Sequence, residues 1–127
     1  MMTGAFAAAV NEVDAQAIQA VVQSQLDAFS NDDATGAFGF ATLSTQRQIG
    51  SADNFMTLVR ELYRPIYRHR LAIFSPAEII DEQVIQTVRL SDPDSKVWIA
   101  VYWMQREVDG NWRIDNCQLL ATQSVSI

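Results

Sequence analysis

The chain has 127 residues, 49% of them hydrophobic and 19% charged, with a formal net charge of −6. That size suits one domain able to bury roughly two-thirds of its unfolded surface without a disulfide or metal staple. The acidic balance argues against nonspecific binding to nucleic acid or anionic membrane, while a lone Cys117 and a lone His69 exclude an internal disulfide, a zinc finger and a histidine metal triad.

Residues 1–12 read as an N-terminal extension and 13–127 as a single domain. The opening MMTGAFAAAVNE has no basic region and only a six-residue apolar stretch, which speaks against a secretory signal and for a cytoplasmic, reducing compartment. No apolar run approaches the ~20 residues of a membrane helix. Asp14 is positioned to cap a first helix, whose stripe is Ile18, Val22, Leu26 and Phe29, at helical spacing. The cluster Asn31–Asp32–Asp33 ends it. A short second helix is expected over 34–41, with Phe38 and Phe40 inward, weakened by Gly36 and Gly39. Gly50–Ser51 opens a third, capped by Ser51 or Asp53, with the stripe Phe55, Leu58, Val59 and Leu62. Pro65 disfavours helix at Arg64.

Near residue 70 the pattern changes to strands. LAIF is short and closed by Ser75–Pro76; EIIDEQVIQTVRL is long and β-branched, with Ile80, Val84, Val88 and Leu90 at even positions. Asp92-Pro93-Asp94-Ser95 is a turn, because proline presets φ and aspartate bonds its own backbone. KVWIAVYWMQREV and NWRIDNCQLLATQ complete an antiparallel meander of about four strands. Helices and strands are thus segregated, an α+β arrangement with three N-terminal helices on one sheet face.

KVWIAVYWMQREV is apolar at both parities, whereas a sheet with one wet face alternates. Both its faces therefore call for cover: helices on one, and on the other a second subunit against Ile99, Val101 and Trp103. Register depends on the hairpin loop. A two-residue Asp109–Gly110 loop would set Arg106 opposite Arg113, an unfavourable like-charge pair. A three-residue loop with left-handed Gly110 puts Trp98, Tyr102 and Met104 with Trp112 and Ile114. It puts Val101, Trp103 and Glu107 with Arg113, Asp115 and Cys117.

Eight of the nine cations are arginine, and Arg60, Arg64, Arg68 and Arg70 lie within eleven residues. They are suited to a carboxylate or phosphate, or to the chain's own excess of carboxylates. His69, between two arginines that favour its neutral form, is a candidate acid or base; equally it is a surface residue. Asp115 is a candidate base if desolvated, or else a partner for Arg113 or Arg106, or a residue of the subunit contact. Cys117 reads as a small buried residue. Tyr63, Tyr67, Trp98, Tyr102 and Trp112 are the aromatic stock for a ligand pocket, or for the core. The five glycines form no phosphate-binding pattern, and no cofactor site is evident.

The element order, the first-helix text AIQAVVQSQLDAFSNDD and the closing DGNWRID resemble the NTF2-like (SnoaL-like) superfamily. More narrowly, IGSADNF and YWMQ followed by DGNWRIDNC are similar to an uncharacterised bacterial domain family within it, over residues 13–123. The resemblance implies a curved sheet wrapped around helices as a cone with an apolar pocket, and a homodimer through the sheet. That superfamily holds isomerases, dehydratases, cyclases and noncatalytic binders, so fold does not choose a function. The expected function is a noncatalytic ligand-binding or scaffold homodimer for a small apolar or weakly anionic molecule. The alternatives are an isomerase or dehydratase using Asp115 or His69 with Tyr63 or Tyr67, and a protein-interaction module acting through the sheet face.

Overall fold

The structure, a computed structural model, describes residues 7–122. Residues 1–6 of the expected extension, and Gln123 at the end of the last expected strand, lie outside them. Five helices come first after a two-residue strand: β1 (Ala8–Ala9), α1 (Glu12–Ser30), α2 (Ala34–Gly39), α3 (Leu43–Ile49), α4 (Ala52–Leu62) and α5 (Arg64–Tyr67). Five strands follow: β2 (Leu71–Phe74), β3 (Glu78–Ile80), β4 (Gln83–Ser91), β5 (Val97–Arg106) and β6 (Trp112–Ala121). All six strands pair antiparallel in one open sheet of order β1-β3-β4-β5-β6, with β2 also on β4. The class is α+β, with more elements than the three helices and four strands expected from periodicity.

The stripe of α1 sits in the core: Ile18, Val22 and Leu26 are fully buried and Phe29 nearly so. Its cap is Asn11 rather than Asp14, for the Asn11 side chain accepts the backbone N–H of Asp14 at 2.9 Å. Ser51 caps α4 as expected, but that helix buries Met56 and Val59 and leaves Leu62 70% exposed. Of the expected stripe Val59 is buried and Phe55 half-buried, Leu58 and Leu62 are exposed, and Met56 takes the remaining inward place. α3 has no buried residue and α5 is a single turn, so neither shows an apolar period. Tyr63 leaves the helical region at φ −127° and ψ 43°, so the break falls one residue before Arg64, which is helical after all and opens α5 with Pro65 in its first turn, where proline's missing N–H does no harm.

EIIDEQVIQTVRL is two strands, not one. Asp81 and Glu82 both take positive φ (51° and 66°) and form a two-residue hairpin loop, with Ile80 paired to Gln83. Tight hairpins need such dihedrals, usually from Asn-Gly, so Asp-Glu carries no sequence signal for the turn. β2 and β3 lie end to end along the same edge of β4. Between them Ser75, Pro76 and Ala77 face only Gln86 and Thr87. The extra residue bends the edge, and the buried Gln86 amide donates to the Ser75 and Thr87 carbonyls at 2.6 and 3.0 Å.

The loop between β5 and β6 behaves as a three-residue turn, closed by Glu107 N–H to the Asn111 carbonyl, with Gly110 at φ 87°. The first part of β6 therefore has the favoured register, with Arg106 opposite Trp112, Gln105 opposite Arg113 and Met104 opposite Ile114. The register then shifts by one residue: Asn116, not Asp115, pairs with Trp103. Because side chains alternate with period two, this bulge reverses every later position. Cys117 consequently lies opposite Tyr102 on the helix side, not with Val101 and Trp103.

The helices cover one face, where Val88, Leu90, Ala100, Tyr102, Met104 and Ile114 are all buried. Among the described residues, no helix lies over the other face. There Ile85, Ile99, Val101 and Trp103 are half-buried, beside the exposed Leu71, Ile73 and Leu120.

Candidate functional site

The bulge in β6 is also an anchor. Thr42, buried just ahead of α3, caps that helix by accepting the Thr45 N–H at 3.2 Å. Its hydroxyl donates to an Asp115 carboxylate oxygen at 2.9 Å, and the Thr45 hydroxyl donates to the Asp115 carbonyl at 2.8 Å. Backbone bonds from Thr42 N–H to the Ile114 carbonyl and from Ile114 N–H to the Phe40 carbonyl, at 2.9 and 2.8 Å, complete the attachment. α3 is thereby held off the sheet by its end, without packing its own side chains into the core.

Below it opens a cleft of about 430 Å³ between the helices and the sheet. Phe29 of α1, Phe55, Leu58 and Val59 of α4, Ile49 and Ile66 form apolar walls; Tyr63 closes one side. The Phe55 ring sits 5.7 Å from both Phe29 and Phe38, tilted against each, which favours edge-to-face contact and fixes the wall. Tyr102, Ile114 and Cys117 make the floor, while Ser44, Thr45, Gln48, Asp115 and Asn116 give a polar side. Asp115 is the one charged residue of the lining among the described residues.

At the floor, burial drives the Tyr102 hydroxyl far above its ordinary pKa, and Cys117 adds to the effect. Burial likewise pushes the Cys117 thiol up to about 12, against a smaller opposing pull from Tyr102. Both groups are therefore protonated and neutral near pH 7. The Tyr102 hydroxyl is enclosed and has no hydrogen-bond partner among the described residues.

The cleft brings together only some of the residues expected at a site. Tyr63, Tyr102 and Asp115 line it, whereas Tyr67, Trp98, Trp112 and His69 do not. The buried Tyr67 donates its hydroxyl to Asp32, under the Arg68 guanidinium, which lies 4.0 Å from its ring centre. Tyr67, and then Arg68, hold the Asp32 carboxyl below its usual range. Trp98 donates to Asp92 at 3.0 Å at the edge of a broad surface depression flanked by Arg64, Arg68, Asp92 and Asp94. Trp112 lies under Arg106 and donates to Asp14 at 3.4 Å. His69 is half-buried beside α5, and burial, rather than its arginine neighbours, lowers its pKa against an opposing pull from Asp27.

Asp115 pairs with neither expected arginine. Arg106 is bonded to Asp14, and Arg113 to Asp109 at 3.2 Å. Of the four clustered arginines, Arg68 pairs with Asp32 at 2.9 Å, and the other three form no salt bridge among the described residues. Sequence reasoning missed Gln25, Gln48 and Asn116 as lining residues, since their polar types on mixed faces carry no period. It missed the Thr42–Asp115 link because a 73-residue separation leaves no local trace.

Among the described residues, no three His, Cys, Asp or Glu side chains gather closely enough to hold a metal ion, and no helix is long and apolar enough to cross a membrane. The family model described as domain of unknown function DUF4864 matches residues 11–127. No curated protein and no solved structure matches the chain.

Proposed function

We propose that this chain, which belongs to the DUF4864 family, binds a small apolar molecule in the cleft without transforming it. The observation that carries the proposal is the cleft's lining: aromatic and aliphatic walls facing a polar side of Ser44, Thr45, Gln48, Asp115 and Asn116 around about 430 Å³, with floor groups that stay neutral. That volume falls in the range of small-molecule sites, which pair apolar walls with a few polar groups. An anionic ligand fits poorly, because no Arg, Lys or His lines the cleft among the described residues and Asp115 does. The proposal is therefore narrowed to uncharged molecules. Enzyme chemistry of the isomerase kind remains the alternative, resting on Asp115 alone, since His69 is outside the cleft.

The same reading includes a homodimer through the uncovered sheet face and an NTF2-like cone. Support for the dimer is the apolar row Ile73, Ile99 and Leu120, in which only Arg89 is polar, beside Val101 and Trp103. Support for the cone is the helix-lined cleft over one sheet face, together with the text resemblance. Native mass spectrometry of the purified protein tests binding and assembly together, with the neutral dye Nile red added in a second run. The expected result is a dimer that retains a small molecule or takes up the dye. A ligand-free monomer that takes up no dye would overturn both parts.

A further inference from the structure

We infer that two copies of the chain join edge to edge along the second half of β6, antiparallel, with Leu119 of each copy opposite its counterpart. This contact is separate from the uncovered sheet face and goes beyond the reading above. β6 ends the strand order and, past the bridge at Ile114, pairs only with β5. The Thr122 N–H reaches the Val97 carbonyl at 3.3 Å, so by alternation Gln118 and Leu120 also bond inward to β5. The backbone groups of Cys117, Leu119 and Ala121 point away from it.

Upstream, that outer row is closed. Ile114 bonds through its backbone to Phe40 and Thr42, the Asp115 carbonyl accepts the Thr45 hydroxyl, and the Cys117 N–H is held by the Asn116 side chain at 2.8 Å. Leu119 and Ala121 have no such outward partner among the described residues. The opposite margin of the sheet is blunted by strands of only two, three and four residues. Proteins shield exposed edges with short strands, charges, prolines or bulges. Residues 116–121 nonetheless read NCQLLA, with neither charge nor proline, in a chain of net charge −6.

Such an edge fits its own copy. A two-fold axis at Leu119 sets Leu119 on Leu119 and Cys117 on Ala121, all residues whose backbone groups point outward. Each Leu119 then exchanges both its bonds with the other, and each Ala121 N–H reaches the other copy's Cys117 carbonyl. Gln118 meets Leu120 across the pair, so no like charges are opposed. A two-fold contact needs this self-match. So short an edge buries less than the roughly 1,200 Å² of a standard interface, which sets the dissociation constant on the order of 0.1 mM.

The test is sedimentation velocity of the full chain from about 1 μM to about 1 mM, with Trp103→Arg as the background that removes the sheet face as a contact. That variant should be a monomer at the low end and a dimer at the high end; on the native chain the same rise takes a dimer to a tetramer. Adding Leu119→Pro should weaken this association by about tenfold or more. Because the Leu119 N–H points away from β5, the proline takes no bond from the ladder. Should that variant fail to fold, Gln118→Lys with Leu120→Lys opposes like charges across the pair and should have the same effect. A Trp103→Arg chain that stays monomeric throughout overturns the inference, whether water or another protein's strand then takes the edge. So does association that persists in both edge variants. The two contacts fail separately: a native dimer lost to Trp103→Arg alone keeps the face and removes the edge, and one lost to the edge substitutions alone does the reverse.

Discussion

At Asp115 the chain inserts one residue into β6, and from there on each side chain changes face. Asn116 turns to the Trp103 side, and Cys117 thereby meets Tyr102 beneath the helices. Its burial links folding to pH. The thiol's pKa is about 12 in the folded chain against about 8.5 when unfolded, so the folded state holds its proton over a range where the unfolded state has lost it. Stability is then complete below about pH 8.5 and falls as pH rises toward the folded value. Tyr102, raised in the same direction, adds a further loss above a tyrosine's ordinary pKa of about 10. Thermal melting between pH 7 and 11 should therefore show an alkaline decline that begins about 1.5 units higher in Cys117→Ala. An unchanged onset would mean that the thiol is not enclosed.

Among the elements, the β3–β4 hairpin is the least well matched to its sequence. Asp81 and Glu82 hold left-handed dihedrals without glycine, at a cost of roughly 1 kcal/mol for such a residue. The double substitution Asp81→Asn with Glu82→Gly, which supplies the preferred turn pair, should raise stability by about 1 kcal/mol, measured by urea denaturation. The same loop shows where reading stops. Elements with strong periods were legible: the α1 stripe, the cap of α4 at Ser51, the Asp92 turn and the Gly110 loop each have a residue type that compels the geometry. α3 was not legible, because LSTQRQI buries nothing; it is held by Thr42 at its end, through Asp115. One of the three floor residues, Cys117, was invisible for a related reason. The bulge moves Cys117 by one position, and a single inserted residue in a strand has no signature when its compensation lies on another element. Tyr63 and Tyr102 were found as aromatics, but aromatic character alone did not separate them from Trp98 and Trp112, whose N–H groups face Asp92 and Asp14.

At the scale of the molecule, helices protect one sheet face, and among the described residues no helix covers the other, which is apolar. Trp103 is half-buried there and its indole N–H is bonded to Gln83 at 3.1 Å. If a second copy covers this face, Trp103→Arg should place two unpaired charges in the contact and shift sedimentation from dimer to monomer, with the far-UV spectrum and Nile red binding retained. A native chain that sediments as a monomer at every concentration would rule the contact out. The two faces are therefore separable by experiment, since the cleft opens on the helix side. The Thr42 and Thr45 bonds to Asp115 span 73 and 70 residues of chain, so they close a large loop that local contacts must precede. This strap ties the buried Thr42 and Ile114 at one end to the exposed Asp115, while α3 itself buries no residue. Were the strap to loosen, α3 would part from β6 while the α1 stripe and the meander stayed packed, and hydrogen exchange along α3 is the measurement that reads it.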